Sequence, residues 1–298
     1  MSGATQRRRR VLVTGGTGYL GRAVLAELAG TAWAVDALVR DERGAATVSA
    51  LRASPVRGLL ERPGHWWRSG HSWDALIHLG TPFGPDAAAV DAAFLDAITT
   101  RPRPIHLLYT GGTWLYGETG DRPATEGDEL RPPADFRWMT DGIERLRATP
   151  RLRTVVMHPA NVYHRDGGAV AAMVTRSGSK RPLVLPQRPQ VRWPMIHRDD
   201  LASAYRAVLD LADPAPAYNL CAEQGVPVAD LARAILDRRG RNDDPVFADC
   251  GHPFDPTAAG AGPLLDQRMD GTLLRRHTGW RPTRRPACDL LSRRDLGF

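Results

Sequence analysis

The stretch "VLVTGGTGYLGRAVLAELAG", Val11 to Gly30, decides the fold class. Its opening "VLVT" is a short apolar run of the kind that forms a buried strand, and the apolar residues after Tyr19 recur at helical spacing. The glycine-rich turn "TGGTGYLG" joins the two segments. A buried strand, a glycine turn and an amphipathic helix in this order predict the first part of a sheet with crossover helices.

Further along the chain, short apolar runs continue to alternate with longer helical stretches. The runs are "WAVDALV", "DALIHLG", "IHLLYTGG" and "LRTVVMHPA", which start at Trp33, Asp74, Ile105 and Leu152. Near-continuous apolar composition is typical of parallel strands that are buried on both faces. The pattern therefore predicts an α/β fold with a parallel sheet.

Composition narrows the classes of protein that fit. The chain has 298 residues, 42% of them hydrophobic, which is enough for a sizeable core. Its three cysteines are widely spaced and include no CxxC pair, so they form neither a disulfide framework nor a zinc site. This usage suits a reducing compartment, and we therefore expect the protein in the cytoplasm. The sequence contains no run of 18 apolar residues, so we predict no membrane span. The net charge of +7 comes from scattered arginines without a recognition-helix pattern, so we expect no nucleic-acid partner. The histidines of "HSWDALIHLG" do not converge at ligand spacing, and we predict no metal.

The glycine turn carries the strongest chemical signal. Gly15, Gly18 and Gly21 are spaced so that the chain leaves the strand tightly, approaches a pyrophosphate and packs the new helix against the sheet. The first turn of that helix then binds phosphate through its free N–H groups and its dipole. The alternative is a purely structural turn. The context predicts dinucleotide binding.

The end of the second strand should select the dinucleotide. An acidic residue there binds the ribose 2′-hydroxyl of NAD, whereas an arginine favours the 2′-phosphate of NADP. Asp36 lies in mid-strand, and the strand ends at "VRDER" with Arg40 and Arg43; Asp41 beside Arg40 is the competing acidic candidate. These residues favour NADP(H) over NAD(H).

Five motifs in order give the chain a resemblance to a known family. They are "TGGTGYLG", "DALIHLG", "LYTGGTWLYG", "HPANVYH" and "MIHRDDLASAY", and the later "TGWRP" extends the likeness over nearly the whole chain. The chain resembles an extended short-chain dehydrogenase/reductase of the NAD-dependent epimerase/dehydratase type. The resemblance implies a doubly wound parallel Rossmann sheet, over residues 1–163 and 192–218, with a smaller C-terminal substrate lobe, over 164–191 and 219–298.

The resemblance also implies which residues surround the cofactor. We expect contacts from the glycine turn, from the end of the second strand, and from the carboxyl ends of the later strands. These residues are Gly15, Thr17, Gly18, Tyr19, Leu20, Arg40, Leu79, Gly80, Thr110 and Pro159.

The catalytic positions of the family are replaced in this chain. Family members use a Ser or Thr to polarise the substrate oxygen, a Tyr to move the proton, and a Lys to lower the pKa of that Tyr. By alignment of the motifs these positions fall on Gly112, Phe136 and Thr140. Neither Phe136 nor Thr140 can perform the proton chemistry, so the chain resembles an atypical member.

Four nearby residues are candidates for replacement catalytic roles. Thr113 could supply the missing hydroxyl, and Tyr116 is the nearest phenol, although the "LYG" turn also fits a packed structural Tyr. Tyr163 and His164 follow the sixth strand and would face the same crevice if the resemblance holds. His164 could titrate near neutrality, or it could be a surface loop residue.

Three hypotheses about function remain open. The first is an atypical NAD(P)(H)-dependent oxidoreductase or epimerase that acts on a small hydroxyl- or carbonyl-bearing metabolite, such as a sugar or a biosynthetic intermediate. The second is a redox-neutral isomerase, cyclase or lyase on the same scaffold, and the third is a non-catalytic NADP(H)-sensing protein. The resemblance leaves a homodimer open, because family members often dimerise through the helix after strand 4 and the helix that begins near Phe136.

Overall fold

The computed structural model describes residues 8–67, 72–80, 84–100, 103–164, 167–178, 181–185, 190–247 and 261–293. Two compact units make up the chain: Met1–Thr110 with Gly142–Val156, and Gly111–Asp141 with Met157–Phe298. This division places residues 111–141, 157–163 and 192–218 in the second unit, whereas the family resemblance assigns them to the dinucleotide-binding domain. None of the helices in the described part of the chain is long and apolar enough to cross a membrane.

The first unit alternates strands and helices. Its strands are β1 (Arg10–Thr14), β2 (Ala34–Val39), β3 (Ser54–Arg57), β4 (Ala75–His78) and β5 (Ile105–Thr110), and its helices are α1 (Tyr19–Leu28), α2 (Glu42–Ala50), α3 (Gly64–Trp67) and α4 (Ala87–Thr99). Two elements contribute to both units: α5 (Arg137–Arg147) begins in the second unit, and β6 (Leu152–Pro159) begins in the first.

The central sheet has seven strands in the order β11 (Ala217–Leu220), β6, β5, β4, β1, β2, β3. The pairs β1 with β2, β2 with β3, β1 with β4 and β4 with β5 are parallel. The chain runs outward from β1 to β3 and then returns to β4 on the other side of β1. Such a reversal opens a crevice at the carboxyl ends of the two strands, where open α/β sheets bind ligands. The predicted doubly wound parallel Rossmann sheet is confirmed.

Burial explains why these segments form strands. Val11, Leu12 and Val13 of β1 are fully buried, as are Leu76 and Ile77 of β4. Strands that bury consecutive residues have both faces covered, because successive side chains point to opposite faces. The apolar runs therefore mark the centre of a sheet with helices on both sides.

The second unit has a smaller sheet and its own hydrophobic core. Its further strands are β7 (Asn161–His164), β8 (Gly167–Gly168), β9 (Val184–Leu185), β10 (Arg192–His197), β12 (Glu223–Pro227) and β13 (Val246–Phe247), and its helices are α6 (Ala171–Ser177), α7 (Arg198–Leu209), α8 (Val228–Arg238), α9 (Thr272–Thr278) and α10 (Ala287–Ser292). The strands β12, β10, β7 and β8 form one sheet in this order. Leu231 and Ile235 of α8 pack in one core with Tyr163 and Trp193.

Candidate active site

The glycine turn lies at the carboxyl end of β1, where the backbone leaves no room for side chains. Gly15 has a φ of +71°, and a Cβ at this position would lie 2.7 Å from the carbonyl carbon and oxygen of Leu79. A Cβ on Gly21 would collide with the Gly15 carbonyl. The N–H of Gly18 donates to the Gly15 carbonyl oxygen at 2.9 Å. The turn therefore requires glycine at positions 15 and 21.

The N-terminus of α1 is open to an anion. Gly18 is its N-cap and contributes no side-chain hydrogen bond, and the first turn contains no acidic residue. Thr17 and Gly18 are exposed, and Tyr19 and Leu20 are half-buried. Uncapped N–H groups together with the positive end of the helix dipole favour a phosphate. The pyrophosphate of a dinucleotide fits this cradle.

The adjoining side of the crevice is formed at the ends of β4 and β5. The Leu79 N–H donates to the Thr14 carbonyl oxygen at 3.3 Å, so the chain after β4 stays beside β1. A Cβ on Gly80 would lie 2.7 Å from the Leu60 side chain, so that position has no space for a larger residue. Thr110 is the half-buried last residue of β5. Every predicted cofactor residue except Pro159 belongs to the first unit. Pro159 is the buried last residue of β6 and belongs to the second unit.

Both acidic candidates near the end of β2 already have structural partners. Asp36 is 2% exposed and forms an ion pair with Arg10 at 2.7 Å, and it accepts a 2.7 Å hydrogen bond from the indole of Trp73. Asp41 is the N-cap of α2, and its carboxylate accepts from the Gly44 N–H at 2.7 Å. The Asp36 carboxylate is therefore unavailable to a ribose, and one oxygen of Asp41 is used by the helix.

The two arginines at this strand end have a different environment. Arg40 and Arg43 are exposed, and neither forms an ion pair with any residue that the structure describes. A guanidinium in this state can bind a phosphate without first breaking an internal contact.

A buried polar chain fixes the ends of β1 and β4. His78 is 1% exposed; its Nδ1 lies 2.9 Å from Thr14 Oγ1, and its Nε2 lies 3.3 Å from a carboxylate oxygen of Asp91. The Tyr109 hydroxyl donates to the other Asp91 oxygen at 2.9 Å. Burial, and then the Asp91 charge, raise the pKa of Tyr109 well above its usual value. His78 is thus a core residue with one hydrogen bond, to Thr14, and with the Asp91 carboxylate beside its other ring nitrogen.

The two predicted hydroxyl donors after β5 are engaged in structural hydrogen bonds. Thr113 is 5% exposed and its hydroxyl donates to Gln267 Oε1 at 3.3 Å, while Gln267 Nε2 donates to the backbone oxygens of Thr113 and Gly117. The Tyr116 hydroxyl donates to Asn219 Oδ1 at 2.7 Å. A proton donor in either role would have to break these bonds first, which counts against both.

The structure places Tyr163 in a core rather than in an open crevice. Its ring is 1% exposed among the core residues of the second unit, and its hydroxyl donates to the Arg285 carbonyl oxygen at 2.7 Å. Burial is the main cause of a raised Tyr163 pKa, with smaller contributions from Glu223 and Asp200. The expectation that this phenol faces a ligand crevice is therefore corrected.

His164 lies in a cluster that sequence reasoning did not foresee. One ligand atom each from His164, His197 and Asp199 lie within 4.8 Å of one another. Arg198 Nη2, however, lies 3.1 Å from His164 Nε2, and Arg284 forms a 2.9 Å ion pair with Asp199. A metal would have to compete with two guanidinium groups at its own ligands, so the donor set fits a cation poorly. The absence of a metal stays a prediction.

The three family catalytic positions lie in the second unit. Gly112 has an extended backbone, and a Cβ on it would meet no atom within 4 Å. Phe136 packs its ring against Trp114, with centroids 5.4 Å apart. The Thr140 hydroxyl donates to the Arg137 carbonyl oxygen at 2.7 Å. Neither Phe136 nor Thr140 offers a free acid or base.

Sequence reasoning missed two polar residues around β6. His158 is 1% exposed, and its Nδ1 lies 3.3 Å from the Gly112 carbonyl oxygen. Asn161 is 8% exposed, and its side-chain nitrogen is buried without a hydrogen-bond partner in the described part of the chain. Both stand in "HPANVYH", so the motif itself could have directed attention to them. A buried amide donor without an acceptor suits a ligand oxygen.

Comparisons with known proteins agree with this geometry. Residues 11–221 match the family model described as "NAD dependent epimerase/dehydratase family". An uncharacterized protein of Schizosaccharomyces pombe is 25% identical over 290 residues, which cover 92% of this chain and 95% of that protein. A 4-hydroxy-2-methyl-3-oxo-4-farnesyl-3,4-dihydroquinoline-1-oxide ketoreductase of Stigmatella aurantiaca is 41% identical over 85 residues, or 28% of this chain and 25% of that protein.

A solved structure shows the same fold. The dTDP-glucose 4,6-dehydratase DesIV of Streptomyces venezuelae superposes with a TM-score of 0.75 at 19% identity, covering 95% of this chain and 94% of that chain. The family match covers well over half of the sequence and includes the glycine turn, the strand ends and the "HPANVYH" motif. The chain belongs to the NAD-dependent epimerase/dehydratase family.

Proposed function

We propose that the protein is an NADP(H)-dependent oxidoreductase or epimerase of the short-chain dehydrogenase/reductase type, with a non-standard active site for a small hydroxyl- or carbonyl-bearing metabolite. The observation that carries this proposal is the exposed, uncapped N-terminus of α1 beside Gly15, into which a pyrophosphate fits. A reduced nicotinamide, when bound, supplies a hydride. The protein supplies the binding crevice and the groups that orient the substrate.

The preference for NADP(H) rests on the end of β2. Asp36 is paired with Arg10 and Trp73, and Asp41 caps α2, whereas Arg40 is exposed. An NAD-selective site needs a carboxylate that accepts from the ribose 2′-hydroxyl. Here Arg40 offers an exposed guanidinium beside a carboxylate that already caps a helix, which favours the 2′-phosphate.

Carbonyl reduction is the direction that these residues support best. The positions of the family's Tyr and Lys hold Phe136 and Thr140, and the nearest hydroxyls, on Thr113 and Tyr116, are already bonded. Oxidation of an alcohol needs a base to remove its proton, whereas an oxygen that gains charge during reduction can take its proton from water. The similarity of one short stretch to a ketoreductase also supports reduction.

The unpartnered amide of Asn161 supports a substrate with a hydrogen-bond acceptor. Its Nδ2 is a hydrogen-bond donor, and none of the residues that the structure describes accepts from it. A ligand or a water molecule could supply the acceptor. A carbonyl oxygen meets that requirement without any acid or base.

The loss of the family's proton-handling residues also favours a second candidate, a redox-neutral isomerase, cyclase or lyase on the same scaffold.

Fluorescence titration of nucleotide-free protein with NADPH and, separately, NADH tests the cofactor assignment. We expect tighter binding of NADPH, and we expect Arg40→Asp to weaken NADPH binding at least tenfold with little effect on NADH. Arg147→Asp makes the same charge change at an exposed position of the same unit and should leave both affinities unchanged. Failure to bind either nucleotide would contradict the proposal.

Two activity assays separate the candidate reactions. Consumption of NADPH with members of a carbonyl panel supports the reductase. Product formation by protein stripped of nucleotide supports the redox-neutral enzyme instead. Binding of NADPH without oxidation across the whole panel would count against reduction.

Location and assembly are secondary parts of the proposal. Cys221 is buried and Cys288 partly buried, and both are free thiols. Burial is the main cause of the raised pKa of each thiol, which makes them poor thiolates and poor disulfide formers. We place the protein in the cytoplasm, where it acts on a small molecule and has no nucleic-acid or membrane partner. The assembly that we propose is a homodimer, which light scattering would test.

A further inference from the structure

The indole N–H of Trp114 has no hydrogen-bond partner in the part of the chain that the structure describes. Its Nε1 atom is buried. Trp114 as a whole is only partly buried. An unsatisfied buried N–H destabilises the folded state, so folded proteins rarely retain one without a reason such as a ligand or an ordered water.

The Trp114 ring is held in place by packing on two sides. Phe136 contacts it with ring centroids 5.4 Å apart and an interplanar angle of 54°. Gly262 approaches so closely that a Cβ at that position would overlap the six-membered ring of the indole. The turn that carries Gly262 is itself fixed, because Trp193 Nε1 donates to the Pro263 carbonyl oxygen at 3.1 Å. The unpartnered N–H therefore has a defined position.

This position adjoins the two places where the family's catalytic groups are missing. Trp114 follows Gly112 by two residues, and it touches Phe136, which stands where the family has its Tyr. Phe136 has no polar atom, and Gly112 has no side chain. Among these three residues, the indole of Trp114 is the side-chain donor.

We propose that the Trp114 indole N–H donates a hydrogen bond to the carbonyl oxygen of the substrate, in place of the Ser and Tyr hydroxyls that this chain lacks; this rests on the proposed reductase function. Reduction would transfer a hydride to the carbonyl carbon from the reduced nicotinamide of the proposed function, which is oxidised. The π electron pair moves to the oxygen, which takes a proton from water and leaves hydroxide. Trp114 keeps its own proton throughout. Its hydrogen bond strengthens as negative charge develops on the oxygen, so its effect falls mainly on kcat.

The inference also limits the substrate class. The partners at this position are two aromatic rings and an N–H donor, with no charged group among Gly112, Trp114 and Phe136. Such surroundings suit an uncharged ketone with apolar substituents at its carbonyl. A ketone whose carbonyl carries a neighbouring carboxylate would be disfavoured.

A direct test follows the indole N–H itself. Protein labelled with ¹⁵N at tryptophan is titrated with cyclohexanone and with acetophenone, and the Trp114 resonance is assigned by its absence in Trp114→Phe. We expect a downfield shift of this resonance with the ketones and no such shift with methylenecyclohexane, which lacks the oxygen. An unchanged Trp114 resonance with both ketones would overturn the inference, whether or not the protein oxidises NADPH.

Kinetics give a second, independent readout. Trp114→Phe keeps an aromatic ring against Phe136 and removes only the N–H, so we expect kcat for ketone reduction to fall roughly 10- to 100-fold with little change in melting temperature. Trp280→Phe is the control, because its indole N–H already donates to Ser203 Oγ at 2.9 Å, and its kcat should not change. Ketone turnover that Trp114→Phe leaves unaltered would refute this role while leaving the reductase function intact. A shift of the Trp114 resonance in a protein that never oxidises NADPH would show the predicted hydrogen bond to a ketone but refute the reductase function.

Discussion

Replacement of Asp36 by Asn distinguishes a structural carboxylate from a cofactor-selecting one. Asp36 accepts from Arg10 Nη2 at 2.7 Å, from Arg10 Nε at 3.2 Å and from Trp73 Nε1 at 2.7 Å. An Asn oxygen can still accept from Trp73, so the principal loss is the ion pair. Hydrogen bonds to a charged group contribute about 1.5–3 kcal/mol to the free energy of unfolding. The Arg10 side chain is 38% exposed, so solvent screens the ion pair and its contribution lies toward the lower end of this range.

We therefore expect Asp36→Asn to lower the free energy of unfolding by about 2 kcal/mol, or the melting temperature by about 5 °C for a chain of this size. Urea unfolding measures the first quantity, and nucleotide titration measures the effect on binding. The affinity ratio of NADPH to NADH should not change, because the carboxylate faces Arg10 and Trp73. A selective loss of NADH affinity in Asp36→Asn, or unchanged stability, would refute this interpretation of the strand.

Three further predictions concern the turn, the pH response and a buried phenol. Gly15→Ala should abolish dinucleotide binding and destabilise the protein, whereas Gly30→Ala, with a φ of +82° but no atom within 4 Å of the new Cβ, should cost only about 1–2 kcal/mol and leave binding intact in the same titration. Burial, followed by the Arg153 charge, lowers the pKa of His106 from 6.5 to about 4, so the unfolded chain binds a proton that the folded protein does not; stability should fall as the pH drops from 6.5 toward 4, by about 2 kcal/mol at pH 5, and urea unfolding of His106→Phe should lack this component. Tyr163→Phe should lower the melting temperature through the loss of one buried hydrogen bond but leave NADPH oxidation unchanged, and a large loss of turnover with normal stability would restore Tyr163 as a catalytic candidate.

Local patterns predicted the fold well because they report local physics. The apolar run from Val11 and the glycine turn after it can satisfy their backbone and burial requirements in few ways, and β1, Gly15 and α1 lie where the pattern predicts. The stretch "AAAVDAAFLDAIT" likewise forms one continuous helix, α4, which buries Phe94, Leu95 and Ile98.

Side-chain partners at the site could not be predicted in this way. Thr113 bonds to Gln267, which is 154 positions away, and no period or spacing in the sequence connects them. Asp36 lies in mid-strand, and only its contacts with Arg10 and Trp73 show why a carboxylate is tolerated there. The sequence placed these groups on the correct elements, but which of them remain available to a ligand depends on tertiary contacts.

The division of the chain into units has a consequence for protein synthesis. The chain passes between the two units after Thr110, after Asp141 and after Val156. A nascent chain that ends at Thr110 already contains the glycine turn, yet it lacks Gly142–Val156, the segment of α5 and β6 that completes the first unit. The first unit can therefore be completed only after Val156 has left the ribosome, by which time the first portion of the second unit has been made. The two units cannot be produced as separate fragments by a single cut in the gene, and a truncation at Thr110 should yield an aggregation-prone product rather than an isolated first unit.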